Sequence, residues 1–334
     1  MDTGRLRETA EAIVADGKGI LAADESSPTI KKRFDNIGVE STEANRRDYR
    51  FILFSAPGVG EYISGVILFD ETIRQAAENG TSLVKIIEDA GIIPGIKVDK
   101  GAKPLAGHPN ETVTEGLDGL RDRLAEYGQL GARFAKWRAV YRIGDGIPSR
   151  ACIKANAHAL ARYAALCQEA GLTPIVEPEV LMDGPHSIDR CEAITERALR
   201  AVYNELAVQG VHLEGTLLKP NMVLSGTECP EQAGIDEVAR RTVRCLARAV
   251  PAAVPGIVFL SGGQTDEAAT LHLNAMNKLG RPGLPWKLSF SYGRALQAAP
   301  LKAWAGRKEN FDAAQQAFLE RARANSEATL GTYA

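Results

Sequence analysis

The chain of 334 residues is long enough for one large domain or two ordinary ones. Its 45% hydrophobic and 25% charged residues are typical of a globular protein, and 40 basic against 42 acidic residues give a net charge of −2. That balance gives no electrostatic case for binding nucleic acid or an anionic membrane. No uninterrupted apolar stretch of membrane-spanning length occurs, and the first residues lack an apolar signal region, so a cytoplasmic location is expected.

The cysteines and histidines argue against a metal site. The five cysteines form no CxxC pair, and the five histidines lie far apart, with no spacing typical of zinc ligands. An odd number of cysteines in a chain of this size indicates a reducing compartment with mostly buried thiols. The sequence therefore predicts neither a metal nor another cofactor.

Eight short runs of branched and apolar residues recur along the chain, and each ends in a polar or charged residue. Their inner positions are apolar on both faces, as a strand buried in a parallel sheet requires. They predict strands over residues 19–24, 65–70, 93–99, 134–138, 174–179, 215–219, 257–261 and 288–291.

The segments between these runs have helical periodicity, for example residues 152–170 and 192–209. The alternation predicts an α/β fold, a single (β/α)8 TIM barrel over residues 1–334, with an N-terminal helix in residues 1–18 before the first strand. A doubly wound open sheet is the alternative. It would favour a glycine-rich turn after the first strand, where the sequence from Asp24 to Pro28 contains no glycine.

Charged residues spaced two apart end three of the predicted strands. Because side chains alternate along a strand, the members of each pair share a face. A barrel interior is filled with aliphatic residues, so such pairs are expected at the C-terminal mouth, where barrel enzymes have their active sites. Solvated loop residues or structural ion pairs are the alternative. The pairs are Lys97 with Asp99, Lys136 with Arg138, and Glu177 with Glu179.

Lys219 follows the apolar residues of the sixth predicted strand. A nearly buried lysine beside another cation, here Lys136, loses its proton more readily, and a neutral amine attacks carbonyl carbon. Glu177 is a candidate for moving protons in carbinolamine formation and dehydration, and Asp24 for removing a proton from a substrate hydroxyl. These residues predict imine chemistry on a carbonyl substrate, although Lys219 could instead be a structural ion-pair residue.

Two groups of residues predict phosphate binding. Glycines after the seventh and eighth strands would expose backbone N–H groups to an anion, and Arg294 adds a bidentate donor. A second cluster of hydroxyl and basic side chains follows the first strand. Two anion sites across one mouth indicate a doubly phosphorylated substrate, although a lone Ser-Gly-Gly is more often just a turn. The residues concerned are Ser261, Gly262, Gly263, Ser291, Gly293 and Arg294 in the first group, and Ser26, Ser27, Thr29, Lys31, Lys32 and Arg33 in the second.

From about residue 5 to residue 330 the chain resembles the class I fructose-bisphosphate aldolases, the metal-independent Schiff-base type. The order and spacing of several short motifs together carry this resemblance. They are GILAADES (19–26), GIKVDKG (95–101), FAKWR (134–138), PIVEPEV (174–180), EGTLLKPNM (214–222), FLSGGQ (259–264) and FSYGRALQ (290–297).

The resemblance implies reversible cleavage of fructose 1,6-bisphosphate to dihydroxyacetone phosphate and glyceraldehyde 3-phosphate. It implies that Lys219 forms the Schiff base, that Glu177 handles protons with support from Lys136 and Glu179, and that Asp24 triggers cleavage. It also implies a homotetramer. The matching substrate positions are Ser261, Gly262, Gly263, Ser291 and Arg294 for the phosphate next to the ketone, and Arg33, Ser26 and Lys97 elsewhere on the substrate; Thr29, Arg138 and Gly293 complete the predicted set.

Two departures from the family pattern bear on these expectations. Pro28-Thr29 stands where animal members have Gly-Ser, which stiffens the loop beside the second phosphate. Familiar members also continue further and end in a tyrosine that reaches the active site. Tyr333 is not expected to take that role, so enamine protonation is expected to be slow and to use water or a resident side chain such as Glu179.

Two other functions remain open from the residues alone. One is a phosphosugar isomerase on the same fold, which would not need an amine at Lys219. The other is a non-catalytic scaffold that retains the barrel.

Overall fold

The buried apolar runs pair side by side in the computed structural model, which describes residues 2–280 and 283–334. Eight parallel strands close into a barrel in the order β1-β2-β3-β6-β7-β8-β9-β10, and β10 pairs with β1. The doubly wound alternative is therefore wrong. The barrel strands are β1 (Gly19–Ala23), β2 (Ile63–Leu68), β3 (Ile93–Lys97), β6 (Phe134–Tyr141), β7 (Thr173–Val180), β8 (Leu217–Leu218), β9 (Gly256–Phe259) and β10 (Lys287–Tyr292), and a separate antiparallel hairpin is formed by β4 (Ala102–Pro104) and β5 (Thr112–Thr114).

Helices connect the strands and surround the barrel. They are α1 (Thr3–Ile13), α2 (Ser27–Asp35), α3 (Glu43–Phe54), α4 (Asp70–Ile73), α5 (Leu83–Asp89), α6 (Leu120–Gln129), α7 (Arg150–Glu169), α8 (Ile188–Val208), α9 (Ile235–Ala249), α10 (Asp266–Gly280), α11 (Arg294–Trp304) and α12 (Phe311–Leu330). Short 3₁₀ segments lie at Val59–Glu61, Leu213–Gly215 and Lys308–Asn310. Among the described residues, no helix has the length and apolar character needed to span a bilayer.

Helix α1 closes the N-terminal end of the barrel, as the predicted N-terminal helix should. Ala10, Ile13 and Val14 are buried in the same cluster as the inward-facing side chains of the strands, which include Ile20, Ile67, Phe134, Ile175, Leu217 and Val258. The ring of Phe134 fills the space beside Gly95, where an added Cβ would lie 2.2 Å from it. These side chains fill the N-terminal end of the barrel, so the open mouth of the barrel is its opposite, C-terminal end.

The eight strands lie where the sequence places them, but their bounds differ from the predicted ones, most of all in β6, which runs on to Tyr141, and in β8. Strand β8 is only two residues long, since Pro220 follows Lys219 and cannot donate to a ladder. Strand β7 continues through Pro178 to Val180, although proline is usually confined to strand ends or edge strands. The neighbouring Val180 N–H points to the β8 side and bonds the Asn221 side chain, so Pro178 sits where β8 has already ended and no ladder bond is lost.

Candidate active site

A cavity of about 960 Å³ opens at the C-terminal mouth of the barrel, and the predicted strand-end residues line it. The register of the parallel strands sets their heights, because Lys97 pairs with Lys136 and Arg138 pairs with Glu177 on adjacent strands. Of the sixteen predicted site residues, fifteen are on its wall, namely Asp24, Ser26, Thr29, Arg33, Lys97, Lys136, Arg138, Glu177, Glu179, Lys219, Ser261, Gly262, Ser291, Gly293 and Arg294.

The exception is Gly263, which lies in the same turn but does not line the cavity. Its φ of +75° is in the left-handed region, and an added Cβ would lie 2.7 Å from the Cβ of Met182. Gly263 therefore permits the backbone conformation of the turn and its close packing against Met182, away from the cavity. Lys31 also points away from the cavity, since its ammonium pairs on the surface with Asp35 at 2.8 Å. Lys32 likewise does not line the cavity.

Four charges, of which Lys136, Glu177 and Lys219 are buried and Asp24 is partly buried, form a continuous chain at the base of the cavity. Lys219 Nζ lies 3.2 Å from Glu177 Oε1, and Lys136 Nζ lies 3.2 Å from Glu177 Oε2. Lys136 Nζ is also 2.6 Å from Asp24 Oδ2. Glu177 thus bridges the two lysines, and Lys136 bridges the two carboxylates. Lys219, Glu177, Lys136 and Asp24 are thereby held in one chain of ion pairs.

This arrangement sets the charge of Asp24 and Lys136. Burial would raise the pKa of the Asp24 carboxyl, but the ammonium groups of Lys136 and Lys219 reverse that effect and hold it well below its ordinary value. Burial would likewise lower the pKa of Lys136, but the Asp24 and Glu177 carboxylates raise it well above its ordinary value. Asp24 is therefore ready to accept a proton, while Lys136 stays cationic and is unsuited to be the nucleophile.

Glu179 lies away from this chain and pairs with Arg138. The Arg138 Nε donates to Glu179 Oε2, and Glu179 Oε1 would lie 3.3 Å from a Cβ added to Gly262. Glu179 therefore stands between Arg138 and the turn after β9. Lys97, on the other side of the mouth, donates to Asp99 Oδ1 at 2.7 Å. Its positive charge also contributes to the low pKa of Asp24.

The turn after β9 and the end of β10 meet on one wall of the cavity. The Oγ atom of Ser291 is buried and has no hydrogen-bond partner among the described residues. Arg294 donates from Nη2 to the backbone carbonyls of Ser261 and Gln264. In the part of the chain that the structure describes, no carboxylate pairs with Arg294, so its charge is left for a ligand. This wall can bind an anion.

The cluster after β1 forms a neighbouring wall, because β1 pairs with β10 and Arg33 Nη2 would lie 3.7 Å from a Cβ added to Gly293. Ser26 precedes α2, and its Oγ lies 3.1 Å from Thr29 Oγ1. Pro28 lies in the first turn of α2, where the missing N–H costs nothing. The substitution seen in the sequence is therefore compatible with a helix start at this wall.

Sequence reasoning missed a buried group behind this wall. The Glu25 carboxylate accepts from Arg33 Nη1, and also from Gln297 Nε2 at 2.7 Å. Arg50, itself buried, donates to the Glu25 carbonyl at 3.0 Å. Glu25 directly follows the predicted site residue Asp24, and this adjacency could have indicated that Glu25 also belongs to the site. Nothing in the spacing indicated Arg50 or Gln297, which come from α3 and α11.

Tyr333 lies outside the cavity. Its hydroxyl donates to Glu267 Oε1 at 3.1 Å, and its backbone N–H donates to Asn274 Oδ1 at 3.1 Å. Both partners belong to α10. These contacts hold Tyr333 against the barrel body.

Comparison with known proteins gives concordant results. Residues 5–334 match the family model described as fructose-bisphosphate aldolase class-I. A protein of Xanthomonas campestris, called a probable fructose-bisphosphate aldolase class 1, is 61% identical over 334 residues, which is 100% of this chain and 99% of that protein. Fructose-bisphosphate aldolase 4, cytosolic, of Arabidopsis thaliana is 57% identical over 331 residues, 99% of this chain and 84% of that protein. A co-crystal structure of the fructose-bisphosphate aldolase of Plasmodium falciparum with TRAP and a small molecule inhibitor has a TM-score of 0.97 at 52% identity, covering 99% of this chain and 95% of that one.

Proposed function

The chain belongs to the class I fructose-bisphosphate aldolase family, and we propose that Lys219 is the amine through which it carries out the family's Schiff-base reaction. The protein is a lyase that reversibly cleaves fructose 1,6-bisphosphate to dihydroxyacetone phosphate and glyceraldehyde 3-phosphate. The observation that carries the assignment is the buried Lys219 Nζ, 3.2 Å from Glu177 Oε1 at the base of the mouth cavity. A lysine beside a carboxylate can give up its proton locally and attack the ketone carbon.

Glu177 serves the steps that make the imine. Attack of the neutral amine on the ketone gives a carbinolamine, whose hydroxyl must leave as water. Protonated Glu177 donates a proton to that hydroxyl, water departs, and the nitrogen lone pair forms the iminium. Lys136 lies within 3.2 Å of the same carboxyl and orients it toward Lys219.

Asp24 starts the cleavage step. Its carboxylate accepts the proton of the hydroxyl on the fourth carbon, the bond between the third and fourth carbons breaks, and its electrons pass to the iminium to give an enamine. Glyceraldehyde 3-phosphate leaves at this point. Protonation of the enamine carbon and hydrolysis of the imine then release dihydroxyacetone phosphate. The low pKa of Asp24 keeps it ionised for the first proton transfer.

The two anion-binding walls hold the substrate across this centre. Ser261, Gly262, Ser291, Gly293 and Arg294 bind the phosphate next to the ketone. Support comes from the buried, unpartnered Ser291 Oγ and from the unneutralised charge of Arg294. Ser26, Thr29, Arg33 and Lys97 contact the rest of the substrate, including its second phosphate.

Reductive trapping tests the role of Lys219. Borohydride added with dihydroxyacetone phosphate should reduce the imine and leave a stable adduct that peptide mapping places at Lys219. Lys219→Arg should be inactive and unlabelled, because a guanidinium stays protonated and cannot attack. Lys85→Arg is the matched control, since Lys85 is exposed on α5 and pairs with Asp89. An active Lys219→Arg, or an adduct at another lysine, would overturn the assignment, and an isomerase that only transfers protons would give no adduct.

Two further properties are part of the proposal. We propose a cytoplasmic location, supported by relatives named cytosolic in Arabidopsis thaliana. We also propose a homotetramer, supported by the oligomeric state that is usual in the family. Light scattering during gel filtration should give four times the chain mass of 35.9 kDa, and a monomer mass would refute the tetramer.

A further inference from the structure

A buried histidine outside the reaction centre bonds the turn that carries one phosphate wall. We call residues 261–264 the β9 turn. Gln264 ends it, and His272 lies on the second turn of α10. Both side chains are buried, and His272 Nδ1 lies 2.7 Å from Gln264 Oε1. The Gln264 Nε2 atom has no partner among the described residues, so His272 makes the one hydrogen bond that holds this side chain.

Gln264 is in turn the residue that positions Arg294. The Gln264 carbonyl accepts from Arg294 Nη2, and the Gln264 N–H donates to the Ser261 carbonyl at 3.3 Å. A shift of Gln264 would therefore move both the β9 turn and the guanidinium. Two components of the proposed phosphate site therefore contact the backbone of one residue, whose side chain is held by His272.

Helix α10 also anchors the other half of this wall. Tyr292, two residues before Arg294, donates from its hydroxyl to the Ala269 carbonyl at 2.9 Å. Arg321 of α12 donates to the Asp266 carbonyl and to Thr270 Oγ1, at 2.8 and 2.7 Å, and so fixes the start of α10. The β9 turn and the end of β10 are thereby held to one rigid helix, through His272 and Ala269.

We propose that His272 is a positioning residue for the phosphate next to the ketone. It holds Gln264, and through Gln264 it sets the distance between the β9 turn and Arg294. The inference rests on the proposed function of this wall and adds to it a residue that touches neither substrate nor Lys219. Its effect is confined to ligands that carry this phosphate.

A pair of isosteric substitutions isolates the hydrogen bond. An asparagine amide can place a polar atom where His272 Nδ1 stands, whereas leucine has the same shape without it. We expect His272→Leu to raise KM for dihydroxyacetone phosphate in the condensation direction about tenfold, with kcat within about twofold. His272→Asn should restore most of the loss. Borohydride labelling with dihydroxyacetone, which lacks the phosphate, should be equal in all three proteins.

A double-mutant cycle separates failure of this inference from failure of the phosphate site. Arg294→Ala should weaken dihydroxyacetone phosphate by itself, and His272→Leu added to it should cost little more, because both act through one contact. If Arg294→Ala has no effect, the proposed phosphate wall is wrong. If Arg294→Ala weakens binding but the leucine and asparagine variants bind alike, or if the two effects add fully, the positioning role of His272 is wrong.

Discussion

Lys136 helps to fix the charge state of Asp24, the base of the proposed cleavage step. Its ammonium lies 2.6 Å from Asp24 and 3.2 Å from Glu177. Burial alone would lower the pKa of Lys136, but these two carboxylates raise it well above its ordinary value. Asp24 and Lys136 therefore stay ionised together around neutral pH. In the proposed mechanism the pair supplies a base for the substrate hydroxyl without needing a histidine.

Replacing Lys136 by methionine should expose the effect of burial on Asp24. Without this cation only Lys219 and Lys97 oppose the effect of burial, so the pKa of Asp24 rises and the base becomes protonated at higher pH than in the wild type. Single-turnover cleavage measured from about pH 5 to about pH 9 should gain an acid limb at higher pH than in the wild type, and lose about 10²-fold or more at its acid end. Lys85→Met, on the surface, is the control. An acid limb at the same pH in Lys136→Met and wild type would contradict the coupling.

Residues proposed to touch the substrate are easier to predict than the residues that hold them in place. Lys219, Glu177 and Asp24 stand at strand ends, where period-two alternation and an apolar run make a charge conspicuous. Gln264 lies inside a recognisable turn, yet its partner His272 is eight residues on, in a helix whose pattern gives it no distinction. Such contacts depend on tertiary packing, which local spacing does not encode.

At the scale of elements, strands buried on both faces were predictable and exposed ones were not. The apolar runs of β1 or β9 have no solvent face, and each gives a distinct signal. The hairpin β4–β5 was missed because Ala102–Pro104 is exposed throughout and carries no alternation. The start of β8 was also missed, because Leu213–Gly215 form a 3₁₀ segment where the apolar run predicts the beginning of a strand.

Helix α1 stabilises the barrel from the end opposite the mouth. Ile13 is fully buried against the inward-facing side chains of the strands at the N-terminal end of the barrel. Ile13→Ala therefore removes apolar contacts and leaves a cavity. We expect the free energy of unfolding to fall by about 2–5 kcal/mol, with kcat and KM of the folded enzyme unchanged. Urea denaturation at matched protein concentration measures the first and steady-state assays the second. Val208→Ala is the control, because Val208 is 71% exposed. A loss of kcat in folded Ile13→Ala would show that α1 also shapes the mouth.

At the scale of the whole molecule, the net charge of the chain differs in sign from the net charge of the cavity wall. The chain carries −2, but cationic side chains outnumber acidic ones nine to seven on the cavity wall. Parallel strands bring these charges together because each βα connection returns the chain to the same end of the barrel. A substrate with two phosphates is thus attracted to the mouth of a protein whose overall composition gives no such indication.

The stability of the whole molecule in acid should depend on the same histidine that holds the β9 turn. Burial lowers the pKa of His272 from 6.5 to about 4. The unfolded chain therefore binds this proton at higher pH than the folded protein does. The contribution to stability is complete above about pH 6.5 and is lost as the pH falls towards 4. Between about pH 7.5 and pH 5 the loss should be on the order of 2 kcal/mol.

Urea unfolding of the wild type, His272→Asn and His272→Leu at these two pH values tests this. Both variants lack the titrating group, so each should lose less stability on acidification than the wild type does, by the same amount. Their absolute stabilities can differ, because only asparagine keeps the bond to Gln264, and the comparison of slopes removes that difference. If the three proteins lose the same free energy of unfolding between the two pH values, the prediction is wrong. The folded protein then accepts the proton on His272 near its ordinary pKa, and the site around Gln264 must open to water to allow it.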